Sequence, residues 1–129
     1  MTARFINIAW VRLLLGGWLA VAAGCAPAPQ EPAYRIGFSQ CTTNDAWRRA
    51  MLAGMEKELS FHSNVRFQML DARNSSTLQR KQVRELIRQR VDLLIISPNQ
   101  SEPITALAET AYNQGIPVVI VDRRTTSRL

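Results

Sequence analysis

Histidine and cysteine are scarce in this sequence, and glycine-rich phosphate-binding motifs are absent. Each of these features excludes a class of site. The 129 residues include one histidine, His62, and two cysteines, Cys25 and Cys41. One histidine leaves no catalytic triad or zinc ligand set to assemble, and two cysteines are too few for a disulfide scaffold. Neither a G-x-G-x-x-G nor a G-x-x-x-x-G-K-[ST] phosphate loop is present. We therefore expect a protein that is not an enzyme and that holds no metal and no cofactor.

Basic residues outnumber acidic ones, with 16 Lys and Arg against 10 Asp and Glu, and the net charge is +6. Such a balance can signal nucleic-acid binding. The densest basic cluster has no stacking aromatic residues or zinc-ligand spacing near it, and it comprises Arg80, Lys81, Arg84, Arg88 and Arg90. A charged run on a predicted helix usually faces water. We therefore expect a solvated helix face and no nucleic-acid partner.

Residues 1–25 have the character of an export leader. The uncharged stretch from Leu13 to Gly24 is about 12 residues long, which suits the core of a signal peptide and is short of the ~20 residues that span a bilayer. Counting from Phe5 gives a span-length segment, but Arg12 would then lie near its middle, where a charge is costly. We therefore predict a signal peptide over residues 1–25 and export to the periplasm.

Small residues precede Cys25 in the order Val-Ala-Ala-Gly, and this run resembles the bacterial lipobox. The resemblance implies that Cys25 is lipidated and that this lipid anchors the protein to the membrane; ordinary cleavage in the same run is the alternative. Residues 26–33 are rich in proline and predict an extended tether. Cys41 is then left without a cysteine partner, and we expect it to be a small buried residue.

From residue 34 onward, strand and helix patterns alternate. Short apolar or alternating runs predict four strands, at residues 34–39, 65–70, 91–96 and 117–121. Apolar stripes of helical period predict three helices, at residues 45–59, 75–90 and 102–114. The last two strands are apolar on successive residues, which is typical of a sheet covered on both faces. The predicted fold class is α/β, a three-layer αβα open parallel sheet within residues 34–129.

The polar tail at residues 122–129 does not close this fold. The last predicted strand would lie near a sheet edge with one side unsatisfied. We expect that more sequence normally follows, so that the chain is an incomplete lobe, and a gene fragment is an open alternative.

Polar loops follow all four predicted strands. Because ligands bind beyond the carboxyl ends of the strands in open parallel sheets, these loops are expected to form the site. They offer amides, carboxylates, arginines and an aromatic ring, which suit the hydroxyl groups and the apolar face of a sugar. The candidate ligand-binding residues are Gln40, Asn44, Asp45, Trp47, Asn99, Asp122 and Arg123.

Most of these residues also have a purely structural interpretation. Asn44 and Asp45 carry side-chain oxygens that cap a helix N-terminus. Trp47 lies on the apolar stripe of its helix, and Asn99 follows a proline in a turn. Asp122 and Arg123 carry opposite charges and can form an ion pair with each other. These alternatives stay open at the level of the sequence.

Three parts of the chain resemble the type I periplasmic binding proteins of the ribose-binding kind, at residues 34–47, 91–99 and 115–123. The combination of Gly-Ile-Pro-Val-Val-Ile-Val-Asp-Arg at 115–123 with the preceding Val-Asp-Leu-Leu strand is specific, whereas each piece alone is weak. The resemblance implies a sugar receptor in which Asn44, Trp47 and the 122–123 pair contact the ligand. A full receptor of this family has two lobes, and this chain would supply most of the first.

Residues 39–42, together with Trp47 and Arg48, are similar to the extracytoplasmic sensor domains of hybrid two-component histidine kinases that detect carbohydrate breakdown products. The resemblance implies a monosaccharide or small oligosaccharide as ligand, and an ABC transporter permease or a sensor kinase as partner. Two other hypotheses stay open, a truncated chain without function and a sugar-responsive transcription regulator. The regulator would carry a helix-turn-helix where the leader and tether stand. Coding sequence downstream of Leu129 would separate receptor from fragment.

Overall fold

The computed structural model describes residues 33–126 of the chain. The predicted signal peptide at residues 1–25, the predicted lipidation site Cys25 and nearly all of the predicted tether lie outside the described residues, so these remain predictions. Between residues 33 and 126, no helix combines the length and the apolar character that crossing a bilayer requires.

Strands and helices alternate as the sequence predicts. The strands are β1 (Tyr34–Gln40), β2 (Val65–Asp71), β3 (Leu93–Ser97) and β4 (Val118–Ile120). The helices are α1 (Ala46–Leu59), α2 (Ser76–Arg88) and α3 (Ser101–Asn113). The predicted α/β fold class is therefore confirmed. The bounds differ most around β3, which begins at Leu93 rather than at Val91.

The segment between α2 and β3 ends the helix, so the strand begins only at Leu93. Arg90 has a left-handed φ of 52°, and the Val91 amide returns to the Leu86 carbonyl at 3.4 Å. Gly115 adopts the same left-handed conformation after α3, with a φ of 81°. A left-handed residue commonly ends a helix, and the position favours glycine because other side chains crowd this backbone conformation.

The four strands form one parallel sheet in the order β2-β1-β3-β4. Gln40 lies opposite Asp71 on one side and opposite Ser97 on the other, so the carboxyl ends of β1, β2 and β3 are level. The chain steps from β1 to β2 in one direction and from β2 to β3 in the other. Right-handed crossovers therefore place α1 on one face and α2 and α3 on the other. The direction reverses between β1 and β3, which is where open α/β sheets bind ligands.

The main core lies between the sheet and the α2–α3 layer. Val83 and Leu86 of α2, Leu94 and Ile96 of β3 and Ala111 of α3 are all inaccessible to solvent. Gly37 of β1 lets α2 approach closely, because an added Cβ there would lie 2.8 Å from Leu86 Cδ2.

The opposite face is covered less completely. Within the described residues, α1 is the helix on this face, and none of its 14 residues is fully buried. Phe38 of β1 and Phe67 of β2 stack beneath it with ring centroids 6.3 Å apart. The third layer of the predicted αβα arrangement is thus present as one half-buried helix.

Candidate ligand-binding site

Loops from the ends of β1 and β3 meet at the reversal point of the sheet. Cys41, directly after β1, is buried as predicted, and its Sγ lies 3.6 Å from Ser97 Oγ at the end of β3. Thr43 in the same loop donates to Asp71 Oδ2 at 2.7 Å, which ties the loop to the end of β2. These contacts fix the position from which α1 starts.

Gln40 is fully buried at the end of β1. Its Nε2 donates to the Thr42 carbonyl at 2.9 Å and lies 3.4 Å from the Arg48 carbonyl, so the side chain braces the loop against α1. Gln40 Oε1 finds no hydrogen-bond partner within residues 33–126. The structure therefore gives this candidate a supporting position beneath the surface that a ligand would meet.

Asp45 and Asn44 have different surroundings at the start of α1. Asp45 is the N-cap, and its Oδ1 accepts from the Arg48 amide at 2.8 Å. The hydrogen bonds from the Arg48 backbone and side chain lower the pKa of the Asp45 carboxyl below its usual value. Asn44 is exposed, and its side-chain amide has no hydrogen-bond partner among the described residues. Asn44 is therefore available to a ligand, whereas Asp45 is already engaged.

Trp47 is 55% exposed and is not a core residue, which removes the alternative that the sequence left open. The Arg48 guanidinium carbon lies 5.9 Å from the centroid of its ring. At this distance a cation interacts favourably with the face of an indole. The ring thus stands at the surface beside a fixed positive charge.

Arg48 is the central charge of the site, and the sequence reasoning did not choose it. Its side chain is only 14% exposed, and it forms ion pairs with Asp45 at 2.5 Å and with Asp122. The hydrogen bonds to Asp45 and then to Asp122 raise the pKa of Arg48 above its ordinary value. Asp122 therefore pairs with Arg48, not with Arg123. The signal in the sequence was the spacing of Asp45 and Arg48 in the first turn of one helix.

Asp122 lies just beyond β4 with an unusual backbone. Its φ is 70°, a left-handed conformation that is uncommon for residues other than glycine, asparagine and aspartate. Its side chain is 20% exposed, and Ser97 Oγ lies 3.4 Å from its Oδ2. Arg48 and Ser97 thus both donate to the same carboxylate oxygen, Oδ2, of Asp122. An open depression of about 280 Å³ follows the same segment, along residues 120–125.

Arg123 and Asn99 form the outer part of the site. Arg123 is exposed, and its Nη1 donates to the Asn99 carbonyl at 2.5 Å. Asn99 Nδ2 donates to the Asn74 carbonyl at 2.9 Å and to Ser76 Oγ at 3.0 Å. Asn99 therefore joins the loop after β3 to the start of α2, while Arg123 extends along the surface.

Gln79 supports this outer part from inside, and it is a second residue that the sequence reasoning missed. It is fully buried; its Nε2 donates to the Ser97 carbonyl at 2.8 Å and its Oε1 accepts from the Asn99 amide at 2.8 Å. Its spacing from Val83 places it on the buried face of α2. A glutamine at an apolar position of the helical stripe was the signal that could have identified it.

The arrangement offers hydrogen bonds and a stacking surface rather than reactive groups. Within residues 33–126, no group of three or more His, Cys, Asp or Glu side chains is placed to hold a metal ion. His62 is exposed in the turn before β2, at the other edge of the sheet from Asp122. The family model described as a periplasmic binding protein domain matches residues 36–129, which includes every element that builds the site.

The chain belongs to this family.

Relatives in the periplasmic binding protein family agree with the fold and extend well beyond the chain. The ribose import binding protein of Bacillus subtilis is 37% identical over 90 residues, which are 70% of this chain and 29% of that protein. A putative rhizopine-binding protein of Rhizobium meliloti is 29% identical over 105 residues, covering 81% of this chain and 34% of the relative. The chain therefore spans about a third of the length of these relatives.

Solved structures of the family show the same architecture. The fructose-binding periplasmic domain of a hybrid two-component system has a TM-score of 0.70 and 38% identity, over 74% of this chain and 31% of that one. A solute-binding protein of an ABC transporter from Mycobacterium smegmatis, solved with bound glycerol, has a TM-score of 0.67 and 30% identity, over 74% and 33%. The parallel sheet with flanking helices is thus shared with both sensory and transport-linked family members.

Proposed function

We propose that the chain is part of an extracytoplasmic carbohydrate-binding domain, either of a solute-binding protein for sugar uptake or of the sensor of a hybrid histidine kinase. The observation that carries this proposal is the surface formed at the reversal point of the sheet, where the exposed Trp47 ring and the Asp122 carboxylate flank one guanidinium, that of Arg48. Relatives described as binding ribose, fructose and myo-inositol support a polyol or sugar ligand. No catalytic step is proposed.

The proposed ligand contacts divide into stacking and hydrogen bonding. Trp47 would stack on the apolar face of the sugar ring, since the indole face is exposed. Asn44, Asp122 and Arg123 would exchange hydrogen bonds with its hydroxyl groups. Arg48 and Ser97 would hold Asp122 in place, and Gln40, Asp45 and Asn99 would support the loops. A second lobe, in protein outside this chain, would supply the remaining contacts.

A titration of the chain with simple sugars tests this proposal. Because half of the contacts would be missing, binding is expected to be weak, and the Trp47 indole NH resonance, assigned with Trp47→Phe, is a suitable reporter. We expect ribose or fructose at tens of millimolar to shift this resonance, and Arg123→Ala to reduce the shift several-fold. Arg84→Ala, which removes an exposed charge from α2 outside the candidate site, is the matched control and should leave the shift unchanged.

An unmoved indole resonance with pentoses, hexoses and small oligosaccharides, in a chain whose spectrum is that of a folded protein, would reject sugar binding at this surface. The same result with an unfolded spectrum would instead favour the truncated, non-functional alternative. The two failures are therefore distinguishable in one experiment.

We further propose that residues 1–25 direct export to the periplasm and that a lipid on Cys25 anchors the mature protein. The small residues before Cys25 support lipidation, and the family is one of periplasmic domains. Metabolic labelling with a radioactive fatty acid should mark the wild-type chain and not Cys25→Ser. Labelling of Cys41→Ser serves as the control, and it should equal the wild type because Cys41 is buried within the domain.

The coding sequence beyond residue 129 would distinguish transport from signalling. The 38% identity to a hybrid two-component sensor domain and the 37% identity to a ribose import protein support the two partners about equally. Coding sequence downstream that contains a membrane helix and kinase domains would assign the sensor. A second lobe without them would assign uptake through an ABC transporter permease.

A further inference from the structure

The edge of the sheet opposite the candidate site carries closely spaced arginines. Arg35 and Arg66 are register partners at the starts of β1 and β2. Arg90 follows α2, and its carbonyl accepts from Arg35 Nη2 at 2.7 Å. A small depression of about 140 Å³ at this edge is lined in part by Arg35, Arg66 and Gln89. Two arginines from separate strands thus line one concave surface, and Arg90 is joined to them by its hydrogen bond to Arg35.

The outer face of α2 continues this positive surface. Lys81, Arg84 and Arg88 are exposed and recur at intervals of three and four residues, which places them on one helix face. Because α2 runs back across the sheet, its C-terminal turn ends at the edge where β1 and β2 begin. We refer to the combined set as the basic edge; it comprises Arg35, Arg66, Lys81, Arg84, Arg88 and Arg90.

Acidic residues neutralise only part of the basic edge. Asp92 lies 3.8 Å from Arg35, and Glu85 lies 2.6 Å from Arg88. Within residues 33–126, no ion pair forms at the other four members. The remaining carboxylates of the nearby helices are on α1 and α3, at Glu56, Glu58, Glu102 and Glu109. The excess charge is therefore concentrated on α2 and on the strand starts.

Exposed aromatic side chains accompany the charge at the same edge. Tyr34 begins β1, Phe61 lies in the turn before β2 and is 71% exposed, and Tyr112 lies in the last turn of α3. Of the five large apolar side chains exposed in the described residues, these three lie at this edge, while Trp47 belongs to the candidate site. Aromatic residues combined with arginines are typical of protein surfaces at a lipid headgroup layer.

We propose that the basic edge docks on the surface of an anionic phospholipid bilayer, with guanidinium groups on lipid phosphates and the exposed aromatics in the headgroup region. The planar guanidinium matches the geometry of phosphate oxygens. The described residues begin at Ala33 and enter β1 at Tyr34, so their N-terminal end lies at this edge. Docking here leaves the candidate site pointing away from the bilayer. This inference does not depend on sugar binding.

Lipid-dependent fluorescence quenching on the full chain tests the proposal. A fluorophore is attached at His62→Cys, at the basic edge, or at Gln100→Cys, at the opposite edge, in a Cys25→Ser background; Cys41 is buried and does not react. Vesicles of phosphatidylcholine, with or without half phosphatidylglycerol, carry a quencher on the lipid headgroup. We expect phosphatidylglycerol to increase quenching at residue 62 at least twofold and to leave residue 100 unchanged. The increase should disappear at about 0.5 M salt, where charges are screened within a few ångströms.

Charge-reversal variants show whether the basic edge is responsible. Each basic residue at an anionic surface contributes roughly fivefold to partitioning, so Arg66→Glu with Arg84→Glu should weaken the phosphatidylglycerol effect by at least tenfold. Arg73→Glu with Arg124→Glu makes the same change in net charge at the opposite edge and should preserve the effect. Equal quenching with both lipids, equal quenching at both label positions, or equal losses in the two double variants would each overturn the proposal. A duplex DNA oligomer that competes away the lipid effect at equal phosphate concentration would assign the edge to nucleic acid instead.

Discussion

The two faces of the sheet are packed very differently. On one face, α2 and α3 bury side chains such as Val83, Leu86 and Ile104 almost completely. On the other, α1 buries none of its residues completely, and Met51 and Met55 remain partly accessible. Trp47 and Arg48 of the candidate site belong to this loosely packed helix, whereas Asp122 follows β4. Ligand-binding elements are commonly drawn from the less stable parts of a fold, and this division follows that rule.

Polar contacts replace apolar packing at the start of α1. The helix is attached there by the Gln40 side chain below and by the Arg48–Asp122 ion pair across the site. Apolar packing tolerates a range of similar side chains, whereas a buried ion pair requires both partners. Stability and site geometry therefore rest on separate sets of residues, and paired substitutions on the two faces test this difference.

The largest effect is expected from Leu86→Ala on the tightly packed face. Removal of a fully buried leucine should reduce the free energy of unfolding by about 2–5 kcal/mol. Met55→Ala on α1 is the matched truncation and should cost about 1 kcal/mol, since that side chain is only half-buried. Urea denaturation followed by circular dichroism measures both. Equal losses would show that the two faces contribute alike.

Two glycines provide the next contrast. At Gly37 an added methyl group would lie 2.8 Å from Leu86 and 3.2 Å from Val91, so Gly37→Ala should cost about 1–3 kcal/mol by overpacking. At Gly54, inside α1, nothing lies within 4 Å, so Gly54→Ala should add about 0.5–1 kcal/mol through helix propensity. In thermal denaturation, we therefore expect the melting temperature to fall for Gly37→Ala and to rise for Gly54→Ala. A stabilised Gly37→Ala would contradict the close approach of α2 and β1.

The Arg48–Asp122 pair can be measured with a double-mutant cycle. Arg48→Met should reduce the free energy of unfolding by about 1–2 kcal/mol, because the largely buried Asp122 carboxylate loses its partner. Asp122→Asn should cost little more when Arg48 is already replaced. A coupling energy near zero would mean that the pair does not attach α1 to the end of β4. Asp92→Asn, which removes an exposed partner of Arg35, is the control and should change stability very little.

A gain in stability is expected at the end of α2. Arg90 has the left-handed conformation that Gly115 adopts after α3. Arg90→Gly should therefore add about 0.5–1 kcal/mol, since the strain of a side chain at this position is removed. Gln89→Gly, one residue earlier and in a helical conformation, should instead destabilise the protein. Melting temperatures of the two variants would test the difference in sign.

The smallest effect concerns the ion pair between Glu85 and Arg88 on the surface of α2. Hydrogen bonds from Arg88 and then Gln89 lower the pKa of Glu85 to about 2, from the ordinary value of 4.5. A depressed carboxyl pKa contributes stability that is complete above 4.5 and is lost as the pH falls through 2. NMR titration of the Glu85 carboxyl should show this low value, and Arg88→Ala should return it toward the ordinary range. A normal pKa in the wild type would show that the pair is open in solution.

Local patterns were sufficient to predict the elements of the fold. The apolar run before Ser97 and the stripe through Val83 and Leu86 have the periods of a buried strand and of an amphipathic helix, and both elements are present. The predicted start of β3 at Val91 was wrong, because the turn at Arg90 that ends α2 delays the strand until Leu93. That error arises because a left-handed arginine has no distinct mark in the sequence.

The candidate site was predicted as a set of residues but not as a set of contacts. Trp47 and Asn44 are exposed at the expected edge, whereas Gln40 is covered and Asp45 caps a helix. Ligand binding by any of them remains a prediction. Arg48 was named only for its similarity to the sensor domains and was not among the candidate site residues.

The sequence was sufficient to predict parallel βαβ units with polar loops at one edge. Periodicity, turn residues and segment order carry this information because they depend on neighbours along the chain. The tertiary structure alone decided that Arg48 meets Asp122, 74 positions away, and that Gln79 reaches the loop after β3. Such pairings depend on strand order, register and the seating of helices on the sheet, which arise only when distant segments pack together.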